Sequence, residues 1–74
     1  MGEALLASSF QKSAEGLAAK LRQQRTLESL RLAERLDRFA EMFGQWTVET
    51  PDQAERVDLI GEYMDLVREV RQVI

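Results

Sequence analysis

The sequence contains neither cysteine nor histidine, and this double absence excludes several classes of protein. Without cysteine no disulfide can stabilise the fold, and without both residue types the usual zinc sites cannot be built. A chain of 74 residues buries only a limited fraction of its surface. Its stability must therefore come from well-packed helices or from association with another chain.

Long hydrophobic runs are also missing. The longest uncharged stretch, residues 4–11, has eight residues, whereas a membrane-spanning helix needs about 20. Glu3 stands where a signal peptide carries basic residues, and Leu6 stands where an N-myristoylation motif requires serine or threonine. We therefore expect a cytoplasmic protein with no membrane contact.

Motifs that would support catalysis are sparse. The sequence has no glycine-rich phosphate loop, and none of its serines lies near a candidate base. Carboxylates at helical spacing, such as Asp58 and Glu62, are interpreted as a solvated helix face, because a carboxylate-bridged metal site on helices normally includes histidine. The sequence therefore predicts no enzyme, no cofactor, no metal site and no small-molecule substrate.

Apolar and charged residues are abundant, at 45% and 31% of the chain, which is typical of a folded helical protein. Residues 12–38 carry three more basic than acidic residues, and residues 51–74 carry three more acidic than basic residues. Opposite net charges on two segments favour contact between them. We therefore expect these two segments to pack against each other.

A long first helix is predicted because neither glycine nor proline occurs between Leu17 and Phe43. The apolar residues in and before this stretch fall within about a third of the helix circumference. They are Leu6, Phe10, Ala14, Leu17, Leu21, Leu32, Leu36, Phe39, Met42 and Phe43. Gly44 follows and is expected to cap the helix end. The prediction is one helix over about residues 13–43, beginning as early as residue 3, with residues 1–12 either frayed or extended toward a partner.

The sharpest signal for a helix start is formed by Thr50, Pro51 and Gln53. The Thr50 side chain can accept from the Gln53 N–H, and Pro51 suits the first helical position because it lacks an N–H. A second helix is therefore predicted over residues 51–74. The link before it is short, so the two helices are expected to form an antiparallel hairpin.

The register of this hairpin is predicted from an apolar seam on the second helix. The seam has spacings of 3, 4, 3, 4 and 3 and consists of Val57, Ile60, Met64, Val67, Arg71 and Ile74. Pairing Phe39 with Val57 in antiparallel order brings the apolar residues together and aligns the polar interruptions of both helices. These interruptions form a predicted polar layer, which either fixes the register or marks where the helices fray, and consist of Arg25, Glu28 and Arg71.

A second apolar row on the second helix has no place in a two-helix hairpin. It consists of Leu59, Tyr63, Leu66, Val70 and Val73. This row packs on a second copy or a partner, or the first helix folds back on itself to cover it. The first helix also overhangs its mate, which leaves Leu6, Phe10 and Leu17 without a partner in the hairpin. Both groups together are the predicted partner-binding residues, with Tyr63 as the anchor.

These patterns predict a single helical-hairpin domain over residues 1–74 that dimerises into a four-helix bundle, or binds a partner helix equivalently, as an adaptor, regulator or small chaperone. The alternative is a nucleic-acid-binding hairpin dimer that uses a basic flank of the first helix. That flank contains Lys20, Arg31 and Arg38, with Arg35 nearby. Acidic residues interrupt it and the net charge is −3, so ion pairs on a solvated helix face are the favoured interpretation.

Overall fold

Three α-helices make up the fold. The computed structural model describes the backbone of residues 2–74 and the side chains of residues 7–74, and it contains no strand within this range. The helices are α1 (Gly2–Gln24), α2 (Leu27–Trp46) and α3 (Gln53–Val73). The prediction of an all-α fold is therefore confirmed, and residues 2–12 belong to α1.

The helices α1 and α2 are antiparallel and approach each other more closely than any other pair. Near the start of α1, the Phe10 ring lies 5.2 Å from the Phe43 ring close to the end of α2. Near the end of α1, Arg22 forms an ion pair with Asp37. Small side chains permit this close approach, because the buried residues of the two helices include Ala7, Ala14, Ala18, Ala33 and Ala40.

The third helix, α3, runs parallel to α1. The Tyr63 hydroxyl donates to Ser13 Oγ of α1 at 3.2 Å, and the side-chain amide of Gln24 donates to the Val73 carbonyl at 3.4 Å. The helices α1 and α3 approach each other least closely of the three pairs. The fold is thus an up-down-up bundle of three helices with a groove between α1 and α3.

A break at Arg25 and Thr26 separates α1 from α2, where the sequence predicted one continuous helix. Arg25 adopts a left-handed conformation with a φ of 56°, which ends α1. Thr26 caps α2, since its hydroxyl accepts from the Ser29 N–H at 3.1 Å and Ser29 Oγ accepts from the Thr26 N–H at 3.1 Å. The single-helix prediction over residues 13–43 is therefore wrong. Arginine in place of a capping glycine, and serine in place of the usual glutamate, concealed the break.

Arg25→Gly should stabilise the protein by about 0.5–1 kcal/mol, because glycine adopts the left-handed conformation without the steric cost of a side chain. Gln23→Gly, placed inside α1, is the matched control and should destabilise the protein by about 1 kcal/mol. Urea unfolding followed by circular dichroism measures both changes. Shifts of the same sign in the two variants would contradict a left-handed residue at position 25.

Because the chain turns at this break, α1 packs along α2. The two apolar rows of α3 therefore exchange the environments that the sequence predicted for them. Tyr63 lies in the core, and the Phe39 ring lies 5.4 Å from its ring. Phe39 therefore faces Tyr63 instead of Val57, and the predicted hairpin register is wrong. The physical reason is burial: turning the Tyr63 row inward encloses an aromatic ring that has three other rings to contact, whereas the Val57 row contains no aromatic ring.

Both ends of the link between α2 and α3 differ from the prediction. α2 continues through Gly44 to Trp46, and no glycine in the described range has a positive φ. Gly44 instead leaves room for the Gln11 side chain of α1, since a Cβ at this position would lie 2.9 Å from Gln11 Nε2. The N-cap of α3 is Asp52 and not Thr50, because the Asp52 carboxylate accepts from the backbone N–H three residues later at 2.8 Å.

Candidate protein-binding groove

The predicted partner-binding row of α3 lies inside the bundle. Tyr63 is 1% exposed, and the other members are buried or half-buried with it: Leu59, Leu66, Val70 and Val73. Three ring centroids lie 5.1 to 5.7 Å from the Tyr63 ring and belong to Phe10, Phe39 and Phe43. The row is thus covered by the chain's own α1, which is the arrangement in which the first helix folds back on itself.

The overhanging residues of the first helix take part in this cover. Phe10 and Leu17 are half-buried and pack against the core. Leu6 lies outside the described side chains. These residues were candidates for partner contact because the predicted hairpin gave them no packing partner. Phe10 and Leu17 have packing partners in the folded chain, because α1 packs along α2 instead of extending it.

The predicted polar layer is not buried. Its three residues, Arg25, Glu28 and Arg71, are all exposed. Ion pairs between the described side chains of different helices join Arg22 to Asp37 and, at 2.9 Å, Arg35 to Glu69. The prediction of a buried layer is wrong because it depended on the hairpin register. Once α1 covers the other row, the row that contains Arg71 faces solvent.

The basic flank of the predicted long helix is divided by the break. Lys20 lies on α1, whereas Arg31, Arg35 and Arg38 lie on α2. Arg35 is further engaged by Glu69 of α3. The continuous row of positive charge that suggested phosphate contact is therefore absent from the folded chain within the described residues.

The apolar surface that remains open lies on the outer side of α3. Val57 is 63% exposed and Met64 is 41% exposed, while Ile60 and Val67 are half-buried. These four residues, with spacings of 3, 4 and 3, are called the outer row. Side chains at such spacings form one straight stripe along a helix. The stripe that the sequence placed in a hairpin seam is thus at the surface.

The groove beside the outer row is bounded by a row of α1. That row has spacings of 4, 3 and 4 and consists of Ser13, Leu17, Lys20 and Gln24. Its first and last members form the hydrogen bonds to α3 described above. Residues at these spacings share one helix face, so Leu17 and Lys20 also lie on the side of α1 that faces α3.

A hollow of about 220 Å³ lies at one end of the groove. The residues that line it come from α1, from the end of α2 with its link, and from α3, and include Ala7, Phe10, Trp46, Thr50, Val57 and Ile60. An apolar cavity of about 150 Å³ already holds a benzene ring, so this hollow has room for one large apolar side chain. Trp46 is the single tryptophan of the chain, and its fluorescence therefore reports on this end of the groove.

Other kinds of site find no support in the described part of the chain. No group of three or more cysteine, histidine, aspartate or glutamate side chains within it is placed to hold a metal ion. None of the described helices combines the length and the apolar character that crossing a membrane requires. Comparisons with protein-family models, with curated proteins and with solved structures find no match.

The sequence predicts the apolar stripe of the outer row but not its exposure. The signal that would have shown it is the series of alanines at positions 7, 14 and 18, and at positions 33 and 40. Small residues at helical spacing on two segments indicate two helices in close contact, and here both segments lie within the single helix that was predicted. This series indicates a turn between them, after which α1 covers the Tyr63 row.

Proposed function

We propose that this protein is a protein–protein interaction module that binds one helix of a partner protein in the groove between α1 and α3 and catalyses no reaction. The observation that supports the proposal is the exposure of the outer row. Val57 and Met64 present apolar side chains to solvent in line with two half-buried neighbours, beside an apolar hollow. A contiguous apolar stripe of this kind on a small folded protein is typical of an interaction surface.

A helix is the occupant that best matches this surface. Spacings of 3, 4 and 3 are those by which helices pack side by side, each apolar side chain entering a gap on the facing helix. A groove between two parallel helices accepts the apolar face of an added helix. The complex would be a four-helix bundle with three helices from this chain and one from the partner. An adaptor, a regulator or a small chaperone uses binding of this kind.

Three synthetic peptides test the proposal. Each is an amphipathic helix of about three heptads with leucine and isoleucine in its apolar stripe and no tryptophan or tyrosine. They differ only at the positions that flank the stripe, which carry glutamate, glutamine or lysine. We expect at least one peptide to bind with a Kd in the micromolar range by calorimetry and to shift the emission of Trp46, which lines the end of the groove.

Val57→Gln combined with Met64→Gln should weaken this binding at least about tenfold, because both side chains belong to the exposed part of the outer row. The matched control is Leu27→Gln combined with Leu30→Gln, which changes two exposed apolar residues of α2 outside the groove. The control should leave the Kd within about twofold of the parent. Absence of binding by all three peptides, or equal losses in the two variants, would refute the proposed function.

A further inference from the structure

Exposed cations border the outer row and the facing row of α1, and they indicate the chemistry of the helix that the groove accepts. We infer that the partner helix is acidic, with aspartate or glutamate along the edges of its apolar stripe. This inference depends on the proposed function, since it describes the ligand of the same groove. It is supported by three cations that lie beside the groove and by the placement of most acidic residues of α3 on another face.

Two arginines of α3 border the outer row. Arg68 follows Met64 by four residues, and Arg71 follows Val67 by four residues, so each arginine shares a helix face with a member of the row. Both arginines are exposed. Neither forms an ion pair with any side chain in the described range 7–74. Their charges are therefore available to a molecule that lies on the outer row.

The opposite wall of the groove adds a third cation. Lys20 lies in the α1 row between Leu17 and Gln24, and the Gln24 side chain contacts the backbone of α3. Lys20 is exposed and has no ion-pair partner among the described side chains. Positive charge thus borders the groove on both helices, and neither the outer row nor the α1 row contains an acidic residue.

The acidic residues in the body of α3 lie on a different face. They form a row with spacings of 4, 3 and 4 that consists of Asp58, Glu62, Asp65 and Glu69. Glu69 pairs with Arg35 of α2, and Glu62 and Asp65 line a shallow hollow together with Arg35 and Phe39. The middle of this row therefore borders α2, and only Glu69 also lines a hollow at the Gln24 end of the groove. The chain as a whole has a net charge of −3, but its docking surface is locally positive.

Charge complementarity favours an acidic helix over a second copy of this chain. A two-fold dimer through the groove would bring two positive surfaces together, with Lys20, Arg68 and Arg71 contributed twice and no acidic residue in the outer row or the α1 row to offset them. An acidic amphipathic helix instead places carboxylates opposite these cations while its apolar stripe covers the outer row. An anionic membrane offers the same charge, but the hollow beside Trp46 is a recess that receives a side chain, which a partner helix supplies.

The three peptides differing only in flanking charge test this inference directly. At low ionic strength we expect the glutamate peptide to bind at least about tenfold more tightly than the lysine peptide, with the glutamine peptide between them. The difference should shrink as salt is added, because exposed charges are screened. In Arg68→Glu combined with Arg71→Glu, the order of the glutamate and lysine peptides should reverse. Arg68→Gln combined with Arg71→Gln should reduce the preference and provides a second test if the reversal impairs folding.

The matched control reverses two charges of α2 outside the groove, with Arg31→Glu combined with Arg38→Glu. This variant has the same net charge as the double reversal on α3 and should keep the order of the parent protein. Equal affinities for the three peptides would overturn the inference and leave the proposed function standing, whereas no binding by any peptide would remove the proposed function itself. If the protein bound phosphatidylserine vesicles and bound the three peptides equally, the groove would be assigned to a membrane. If it sedimented as a dimer that Met64→Gln dissociates, the groove would be assigned to a second copy. Either result would overturn the inference.

Discussion

Tyr63→Ala should destabilise the protein by about 3–5 kcal/mol, the range for removal of a large buried aromatic side chain. The Tyr63 side chain is 1% exposed and contacts rings from both other helices. Because small domains have a total stability of only about 5 kcal/mol or a little more, we expect the variant to be largely unfolded at room temperature. Urea unfolding followed by circular dichroism measures the loss.

Two controls show that the burial of the ring is responsible. Tyr63→Phe keeps the ring and removes only the hydroxyl that donates to Ser13 at 3.2 Å, so it should cost no more than about 1 kcal/mol. Met64→Ala truncates the next residue of α3, which is 41% exposed, and should also cost less than about 1 kcal/mol. A greater loss in Met64→Ala than in Tyr63→Ala would show that the outer row, and not the Tyr63 row, faces the core.

Ala14→Leu should destabilise the protein by about 3 kcal/mol, the upper end of the usual range for an overpacked core. Ala14 is fully buried in the core of the bundle and lies on α1, which is packed closely against α2. The added atoms have no space unless these helices separate, and separation would also expose Phe10 and Phe43, whose rings stack at 5.2 Å. The expected result is a lower urea midpoint.

Ala19→Leu is the matched control for this overpacking. It adds the same atoms to the same helix, but Ala19 is exposed, so the change in stability should stay within about 0.5 kcal/mol. If Ala14→Leu were also neutral, α1 and α2 would have to lie farther apart than the structure shows. A long helix that does not fold back would give that result, since residue 14 would then have no α2 against it.

The candidate site can be predicted from the sequence only in part. The spacing of Val57, Ile60, Met64 and Val67 identifies an apolar stripe on α3 with no knowledge of the fold. The spacing of the row that contains Tyr63 is just as regular. Periodicity alone therefore locates two stripes but does not say which of them another helix covers. Charge positions relative to a stripe also follow from the sequence, and Arg68 and Arg71 lie beside the outer row whatever packs on the other side.

The helix boundaries were also predicted only in part from the sequence. The start of α3 was placed within two residues, because residues that favour helix starts cluster there, although the N-cap is Asp52 and not Thr50. The break between α1 and α2 was missed, because arginine is an unusual residue in the left-handed conformation. Arg25 adopts this conformation at a local cost of about 1 kcal/mol. That cost is offset by contacts far away in sequence, such as those between Phe10 and Tyr63.

The sequence by itself determined that this protein is helical, that zinc sites of cysteine and histidine are impossible, and that α3 carries two apolar rows with arginines beside one of them. Only the tertiary structure decided which row is inside. Burial of a row depends on where α1 lies, and α1 ends at Arg25 and Thr26. The left-handed conformation of Arg25 costs about 1 kcal/mol, and the Thr26 cap contributes about as much in the opposite direction. The aromatic core around Tyr63 is assembled from all three helices, so its favourable energy exists only after the chain has turned. That energy selects the fold, and it leaves the outer row and its positive border facing outward.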